Sequence, residues 1–174
     1  MAARPEPAPA DDVFVITRTF DAPRELVFRA WTETGHLTRW FGPVGFTTTA
    51  RTNDLRPGGV FHYHMRTADG HEMWGKWVYR EIVPPGRLVF VQSFSDETGG
   101  TTRAPFPGIG PTWPLEVLST VTFAEEGGKT TVTMRAVPID ATAEERQTFR
   151  GMYGSMRQGW TGTLDQLAGY LAEG

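Results

Sequence analysis

Apolar and polar side chains alternate along much of the chain after residue 13, which is the pattern of half-buried β-strands. Strands are predicted over residues 13–20, 46–51, 59–67, 72–83, 87–94, 115–123 and 130–137. Glycine-containing turns separate most of these segments, for example at Asp69-Gly70 and Gly127-Gly128. Because short turns join most consecutive strands and no regular strand–helix alternation occurs, the pattern predicts an antiparallel meander.

The hairpin with its turn at residues 69–70 has a register that follows from the pattern. If Thr67 pairs with His71, then Arg66 lies opposite Glu72 and opposite charges meet. The same register pairs Met65 with Met73, Tyr63 with Gly75 and Phe61 with Trp77. One face is then apolar, with Phe61, Tyr63, Met65, Met73, Trp77 and Tyr79. The other face carries His62, His64, Arg66, Glu72, Lys76 and Arg80, with Trp74 and Val78 as apolar exceptions that need cover from elsewhere.

Two short helices are predicted between the first two strands. Asp21 is expected to cap the first of them, with Pro23 at an early helical position and the helix running to about residue 33. A shorter helical segment over residues 36–41 ends at Gly42-Pro43, because proline cannot continue it.

A long C-terminal helix is the clearest helical pattern in the chain. It begins with a capping box formed by Thr142 and Glu145. Apolar side chains then recur at three- and four-residue spacing, at Phe149, Met152, Tyr153, Met156, Trp160, Leu164, Leu167 and Leu171. The spacing predicts one helix of about thirty residues. Several glycines interrupt it, and each lowers its stability by about 0.5–1 kcal/mol relative to alanine. Close approach to the sheet, or a bend around a cavity, would explain them.

The composition narrows the class of protein. A chain of 174 residues fits one domain, predicted over residues 13–174, after a disordered leader over residues 1–12. The absence of cysteine excludes disulfides, thiolate metal sites and cysteine nucleophiles. There is no apolar run of membrane-spanning length and no signal-peptide pattern, so a cytoplasmic protein without a membrane partner is expected. A net charge of −3 with scattered Lys and Arg argues against a nucleic-acid partner.

Several segments along the chain resemble one known family. They are residues 20–23 (FDAP), 27–31 (VFRAW), 40–43 (WFGP), 54–59 (DLRPGG), 75–84 (GKWVYREIVP) and 159–165 (GWTGTLD). Their order resembles the helix-grip fold of the START-like superfamily, also called SRPBCC. More narrowly, the chain looks like the family named for the activator of the heat-shock-protein ATPase. The resemblance implies an α+β fold in which a curved antiparallel sheet of about six or seven strands wraps around a long C-terminal helix.

The resemblance also implies a deep pocket between the sheet and this helix. The chain contains six Trp, eleven Phe and six Met, residues that line pockets and solid cores alike. The predicted ligand-binding residues are Trp31, Trp40, Phe61, Tyr63, Met65, Met73, Trp77, Phe90, Phe94, Trp113, Met134, Met152, Met156 and Trp160. Ordinary core packing of the same residues stays open as the alternative.

Candidate chemistry outside this set is sparse. His62 and His64 share a strand face, as metal ligands would, but Arg66 and Lys76 beside them disfavour a cation, so no metal is assigned. Asp54 is expected to cap its turn rather than act in catalysis. No nucleophile elbow or phosphate-binding glycine loop is present, so no catalytic residue and no cofactor are assigned. The long segment 94–113 is interpreted as a lid over the pocket, with Trp113 or Phe106 pointing inward.

The sequence therefore predicts a protein that binds a small apolar or aromatic molecule, more readily than an enzyme. Two alternatives stay open, since the superfamily includes both kinds of protein. One is a polyketide-cyclase-like or dehydratase-like enzyme, which would need a titratable pair in the cavity. The other is a chaperone-associated interaction module of the stress response, which would act through an exposed apolar patch. A homodimer and a chaperone contact are left open as partners.

Overall fold

The computed structural model describes residues 13–173. The predicted leader, residues 1–12, lies outside the described residues. Across residues 13–173, no helix combines the length and the apolar character that crossing a bilayer requires.

The fold is the predicted α+β helix-grip arrangement, in which two short helices follow the first strand and a long helix ends the chain. The helices are α1 (Arg24–Thr32), α2 (Thr34–Trp40), α3 (Ala143–Gly151) and α4 (Tyr153–Ala172). The strands are β1 (Phe14–Phe20), β2 (Phe46–Asn53), β3 (Val60–Thr67), β4 (Glu72–Val83), β5 (Arg87–Ser95), β6 (Thr101–Thr102), β7 (Val117–Glu126) and β8 (Lys129–Pro138). The two-residue strand β6 and a short 3-10 helix, Gly110–Thr112, lie in the long segment 94–113 that was interpreted as a lid.

All strand pairs of the eight-stranded sheet are antiparallel. The strand order is β1-β8-β7-β5-β4-β3-β2, and β6 pairs only with β5. The first strand therefore pairs with the last strand, while β2 lies at the opposite edge. Helices α1 and α2 connect these two edges, so they pack across the inner face of the sheet, defined here as the face that meets the helices.

The register predicted for the β3–β4 hairpin is confirmed. Arg66 pairs with Glu72, and the same register holds to the Phe61–Trp77 pair. The polar outer face also supplies the cover that Trp74 needs. The His64 ring lies 4.4 Å and the His62 ring 5.2 Å from the Trp74 ring, and the Arg51 guanidinium lies 5.3 Å from it. Side chains of the neighbouring strands thus leave Trp74 only half-buried on the solvent face, while His62 beside it is buried.

Of the two helix N-terminal caps predicted from the sequence, the structure contains one and lacks the other. The capping box at α3 is confirmed, since the Thr142 hydroxyl accepts from the Glu145 N–H at 3.0 Å and Glu145 Oε1 accepts from the Thr142 N–H at 2.9 Å. The cap predicted at Asp21 is wrong. Helix α1 starts one residue after Pro23, whose extended backbone precedes the helix without any side-chain cap.

The predicted thirty-residue helix is divided at Met152. Met152 has φ −100° and ψ 5°, and its N–H turns back to the Phe149 carbonyl at 3.2 Å, which ends α3 before α4 begins. Gly151 immediately before this point weakens helix continuation. Among the glycines of α4, only Gly162 approaches another element, because a Cβ there would lie 3.0 Å from Val44 Cγ2. Close approach therefore explains one glycine and a helix break explains another.

One end of the inner face is solidly packed. Trp31 and Trp40 are almost fully buried, with ring centroids 4.9 Å apart, and the Trp40 indole donates to the Ala30 carbonyl at 2.8 Å. Phe28 and Trp31 of α1 pack against Phe123 of β7 at 5.2 and 6.1 Å. This aromatic cluster fills the space beneath α1 and α2 and leaves the other end of the inner face to α3 and α4.

Candidate functional site

A cavity of about 260 Å³ lies between the inner face of the sheet and α4. Strands β3, β4, β5, β7 and β8 form its floor. Helix α4 and residues 41–43, which follow α2, form the opposite wall. The side chains around it are mainly aromatic rings, methionines and short residues.

The cavity exists because short residues occupy inward positions on three strands. Gly75 on β4, Ser119 on β7 and Ala136 on β8 all line it, and Ser119 and Ala136 pair directly with each other. Larger side chains at the same positions would reach the helix and fill the space, as Phe123 does at the packed end. On the facing wall Gly159 of α4 also contributes no side chain.

Gly75 has a second effect, because it makes room for a ring. A Cβ at this position would lie 2.6 Å from Cζ and Oη of Tyr63, its cross-strand partner. Real contacts of that length do not occur, so only glycine lets the Tyr63 ring lie across β4. The ring also packs against Phe61 at 5.0 Å and edge-on to Phe41 at 5.2 Å. The Tyr63 hydroxyl is thereby held at the cavity wall.

The floor of the cavity is built around Trp77. Its ring stacks on Phe90 at 4.0 Å and meets Phe41 edge-on at 4.9 Å. Four methionines, Met65, Met73, Met134 and Met156, complete much of the apolar lining. Rings provide flat surfaces, while methionine side chains adapt to different shapes.

The wall at residues 41–43 is fixed to α4 by hydrogen bonds. The Gly42 carbonyl accepts from the Thr163 hydroxyl at 3.0 Å and from the Gln166 amide at 2.8 Å. Gly42 has φ +127°, a conformation that glycine adopts at little cost. This connection keeps Phe41 and Pro43 over the cavity, and the Thr163 hydroxyl that makes it also lies 3.1 Å from the Gly159 carbonyl of α4.

Few polar groups face the cavity. Burial raises the pKa of the Tyr63 hydroxyl, while hydrogen bonding with Gln92 and with the Trp77 indole lowers it in part. Gln92, Ser119 and Thr163 are the other polar side chains of the lining. Among the described residues that line the cavity, none is an Asp, Glu, His, Lys or Arg. The wall can therefore offer neutral hydrogen bonds and apolar contact.

The segment after β5 covers one side of the cavity. Trp113 lines the cavity and lies 5.4 Å from the Phe149 ring of α3. Phe106 points elsewhere, because its ring meets Phe94 edge-on at 5.6 Å and remains 42% exposed. Of the two residues expected to point inward, the structure thus brings Trp113 to the cavity and leaves Phe106 at the surface.

An ion pair connects this segment to the start of α3. Arg103 Nη1 lies 2.6 Å from Glu145 Oε2 and also donates to the Trp113 carbonyl at 3.1 Å. The Arg103 side chain lowers the pKa of Glu145, and the Thr142 N–H contributes to the same shift. The single carboxylate of Glu145 therefore serves both the helix cap and the covering segment.

Most of the predicted site residues line the cavity: Tyr63, Met65, Met73, Trp77, Phe90, Phe94, Trp113, Met134, Met156 and Trp160. The others do not. Trp31, Trp40 and Phe61 belong to the packed core, and Met152 lies at the break between α3 and α4. Trp31, Trp40 and Phe61 do not reach the cavity because neighbouring rings fill the space next to them. A role in ligand binding stays a prediction for all of the lining residues.

Other residues that line the cavity were not among the ligand-binding residues predicted from the sequence. These residues are Phe41, Gly42, Pro43, Trp74, Gly75, Gln92, Val117, Ser119, Ala136, Phe149, Gly159 and Thr163. A signal existed for two of them, because Gln92 and Ser119 are polar residues at inward positions of otherwise apolar strand faces. Gly75 and Ala136, the other short residues on the cavity floor, carry no such polar signal.

The other candidate groups have structural partners away from the cavity. His62 Nε2 donates to the Asp96 carbonyl at 3.2 Å, and His64 Nε2 lies 2.9 Å from Glu72 Oε1. Within residues 13–173, no group of three or more His, Asp or Glu side chains is placed to hold a metal ion. The Asp54 carboxylate forms a surface ion pair with Arg56 at 2.7 Å.

Solved structures share this fold over almost the whole chain. A protein from Arthrobacter aurescens is 27% identical, with 94% of this chain and 88% of that chain covered and a TM-score of 0.77. A protein from Mycobacterium smegmatis is 25% identical, with coverage of 92% and 91% and a TM-score of 0.72. An AHSA1 protein from Silicibacter pomeroyi is 21% identical, with coverage of 92% and 97% and a TM-score of 0.65, and this likeness concerns the fold alone.

A search of the curated proteins found no match. The family described as "Activator of Hsp90 ATPase homolog 1-like protein" matches residues 21–172, which include every strand and helix from α1 to α4. With its first-strand pairing, its two short helices and its sheet wrapped on α4, the chain belongs to the AHSA1-like family.

Proposed function

We propose that the protein binds a small, neutral, apolar or aromatic molecule in the cavity beneath α4. The observation that carries this proposal is a void of about 260 Å³ whose wall is made of aromatic rings, methionines and short residues. Burial of apolar surface, at about 25 cal/mol per Å², would drive binding.

The size of the cavity suits a molecule of one or two rings. An apolar cavity of about 150 Å³ is large enough to hold benzene. The cavity here is about 260 Å³, so it has room for a fused two-ring compound. The stacked pair of Trp77 and Phe90 offers a flat surface for such a ring.

The polar groups of the wall favour binding over acid–base catalysis. A cyclase or dehydratase needs positioned groups that give and take protons near neutral pH. Tyr63 is the one titratable side chain among the described lining residues, and burial raises its pKa further from neutrality. The wall is therefore suited to holding a molecule rather than to moving its protons.

Titration calorimetry with indane, an apolar two-ring hydrocarbon, tests the proposal. We expect a dissociation constant of roughly 0.1 mM, which corresponds to about −0.6 kcal/mol for each of the nine carbon atoms of indane. Ser119→Leu adds apolar volume on the cavity floor and should weaken indane binding at least tenfold. Thr120→Leu is the matched control, because the next residue of β7 faces away from the cavity and its variant should bind indane as the wild type does.

The results are read together with urea unfolding of each variant. Loss of binding in a folded Ser119→Leu protein, with binding kept in Thr120→Leu, supports a ligand beneath α4. Equal affinities of both variants for indane, or no binding of indane to the wild type, would refute the proposal. Mass spectrometry of small molecules released from the purified protein then identifies any molecule that occupies the cavity.

A further inference from the structure

Helix α4 closes against the segment that follows α2 over only part of its length. The Thr163 hydroxyl and the Gln166 amide both donate to the Gly42 carbonyl, at 3.0 and 2.8 Å. At Gly162 a Cβ would lie only 3.0 Å from Val44 Cγ2. These contacts leave no passage between the two elements, so this part of α4 seals its side of the cavity.

One turn earlier in α4, at Gly159, the wall of the cavity is open. Gly159 lines the cavity and is exposed to solvent at the same time. A Cβ at this position would meet no atom of the described residues within 4 Å, apart from the adjoining backbone of its own helix. Pro43 and Met156, which also line the cavity, are only half-buried. These observations indicate an opening from the cavity to solvent beside Gly159.

The segment after β5 is closed by contrast. Trp113 of that segment lines the cavity and packs on Phe149, with ring centroids 5.4 Å apart. Arg103 holds the segment in place, because it pairs with Glu145 at 2.6 Å and donates to the Trp113 carbonyl at 3.1 Å. The opening beside Gly159 is therefore an exit that needs no movement of the covering segment.

The interior of the cavity and its opening suit different chemical groups. Among the described residues that line the cavity none is an Asp, Glu, His, Lys or Arg, so the interior is a poor substitute for water around a hydrophilic group. The volume of about 260 Å³ holds a two-ring body but not a long chain attached to it. A molecule with both parts is accommodated only when its chain passes through the opening and stays in water.

We propose that the ligand is a two-part molecule, with an apolar ring body beneath α4 and a hydrophilic, uncharged chain that leaves the cavity beside Gly159. This inference rests on the function proposed above and specifies the chemical class of the ligand. The ring body supplies most of the affinity through burial of apolar surface. The missing side chain at Gly159 provides the path for the chain.

Calorimetric titration of two probes with the same ring body tests the inference. Indane fits inside the cavity, whereas the 2-indanyl ether of triethylene glycol, the tailed probe, carries a hydrophilic chain too long to be enclosed. Both are titrated into the wild type, Gly159→Leu and Gly169→Leu, after urea unfolding has shown that each variant is folded. Gly159→Leu places a side chain in the opening. Gly169→Leu is the matched control, because Gly169 is an exposed residue of α4 with open space at its Cβ and does not line the cavity.

The tailed probe should bind the wild type within about threefold of indane, because its chain stays in water. Gly159→Leu should weaken the tailed probe at least about tenfold and leave indane within about threefold, while Gly169→Leu should change neither affinity. If indane binds the wild type and the tailed probe does not, or if Gly159→Leu affects both probes equally, the proposed function stands and the two-part inference fails. If neither probe binds the wild type, the proposed function itself is refuted.

Discussion

Gly75→Ala is the substitution whose effect follows most directly from the structure. Gly75 lies inside β4 with an extended backbone that any residue can adopt, so the new side chain meets no conformational barrier. What it meets is the Tyr63 ring, since the Cβ would lie 2.6 Å from Cζ and Oη and 2.7 Å from Cε1. We therefore expect the substitution to act through one contact.

The magnitude can be worked out from these distances. Carbon atoms in contact are normally about 3.5–4.0 Å apart, so the ring must move by roughly 1 Å. Tyr63 is 4% exposed and packed against Phe61 and Phe41, and such overpacking costs about 1–3 kcal/mol. Replacing glycine inside a strand returns about 0.5–1 kcal/mol. The free energy of unfolding should fall by about 1–2 kcal/mol.

Urea unfolding of a double-mutant cycle measures this effect. In a Tyr63→Leu background the ring is gone, and Gly75→Ala should then be neutral or stabilise the protein by about 0.5 kcal/mol. Gly35→Ala is a control in α2, where the new Cβ has open space and should stabilise the helix by up to about 1 kcal/mol. An equal cost of Gly75→Ala in both backgrounds would refute the contact with Tyr63 as its cause.

Two further predictions concern the segment that covers the cavity. Arg103 lowers the pKa of Glu145 below its usual value of 4.5, so this pair stabilises the fold above that pH, and the contribution is lost as the pH falls through the lowered pKa. Urea unfolding at pH 7 to about pH 3 should show that the free energy of unfolding falls less steeply towards acid pH in Arg103→Met than in the wild type. An equal fall in both proteins would contradict a stabilising Arg103–Glu145 pair. Bound indane should slow amide hydrogen exchange over residues 103–113, with Trp113 at the cavity, whereas unchanged exchange would count against a lid.

Strand pattern and register were predictable because they depend on neighbours along the chain and across one turn. Alternation fixes which face each residue of a hairpin occupies, and the Arg66–Glu72 pair then selects the register. The pairing of β1 with β8 joins residues more than a hundred positions apart, and no local signal indicates it. The break at Met152 is similar, since apolar spacing continues through it and only the packing of α3 and α4 shows where one helix ends.

The cavity was only partly predictable, for a different physical reason. Trp31 and Trp77 are the same residue type at equally apolar positions, yet one is enclosed by rings and the other faces a void. The difference lies in the length of side chains on facing elements. Gly75, Ser119 and Ala136 leave the void, but short residues give no periodic signal in the sequence. A polar residue at an inward position of an apolar strand face, such as Gln92, is the feature of the sequence that indicates a cavity.

The shared carboxylate of Glu145 links two parts of the molecule that are otherwise separate. One oxygen holds the first turn of α3 and the other holds Arg103, so withdrawal of residues 103–113 removes a charge partner from the helix cap. Loosening of the cover and fraying of that turn should then occur as one cooperative event. Backbone NMR signals of residues 142–145 would consequently report the arrival of a small molecule that none of those residues touches.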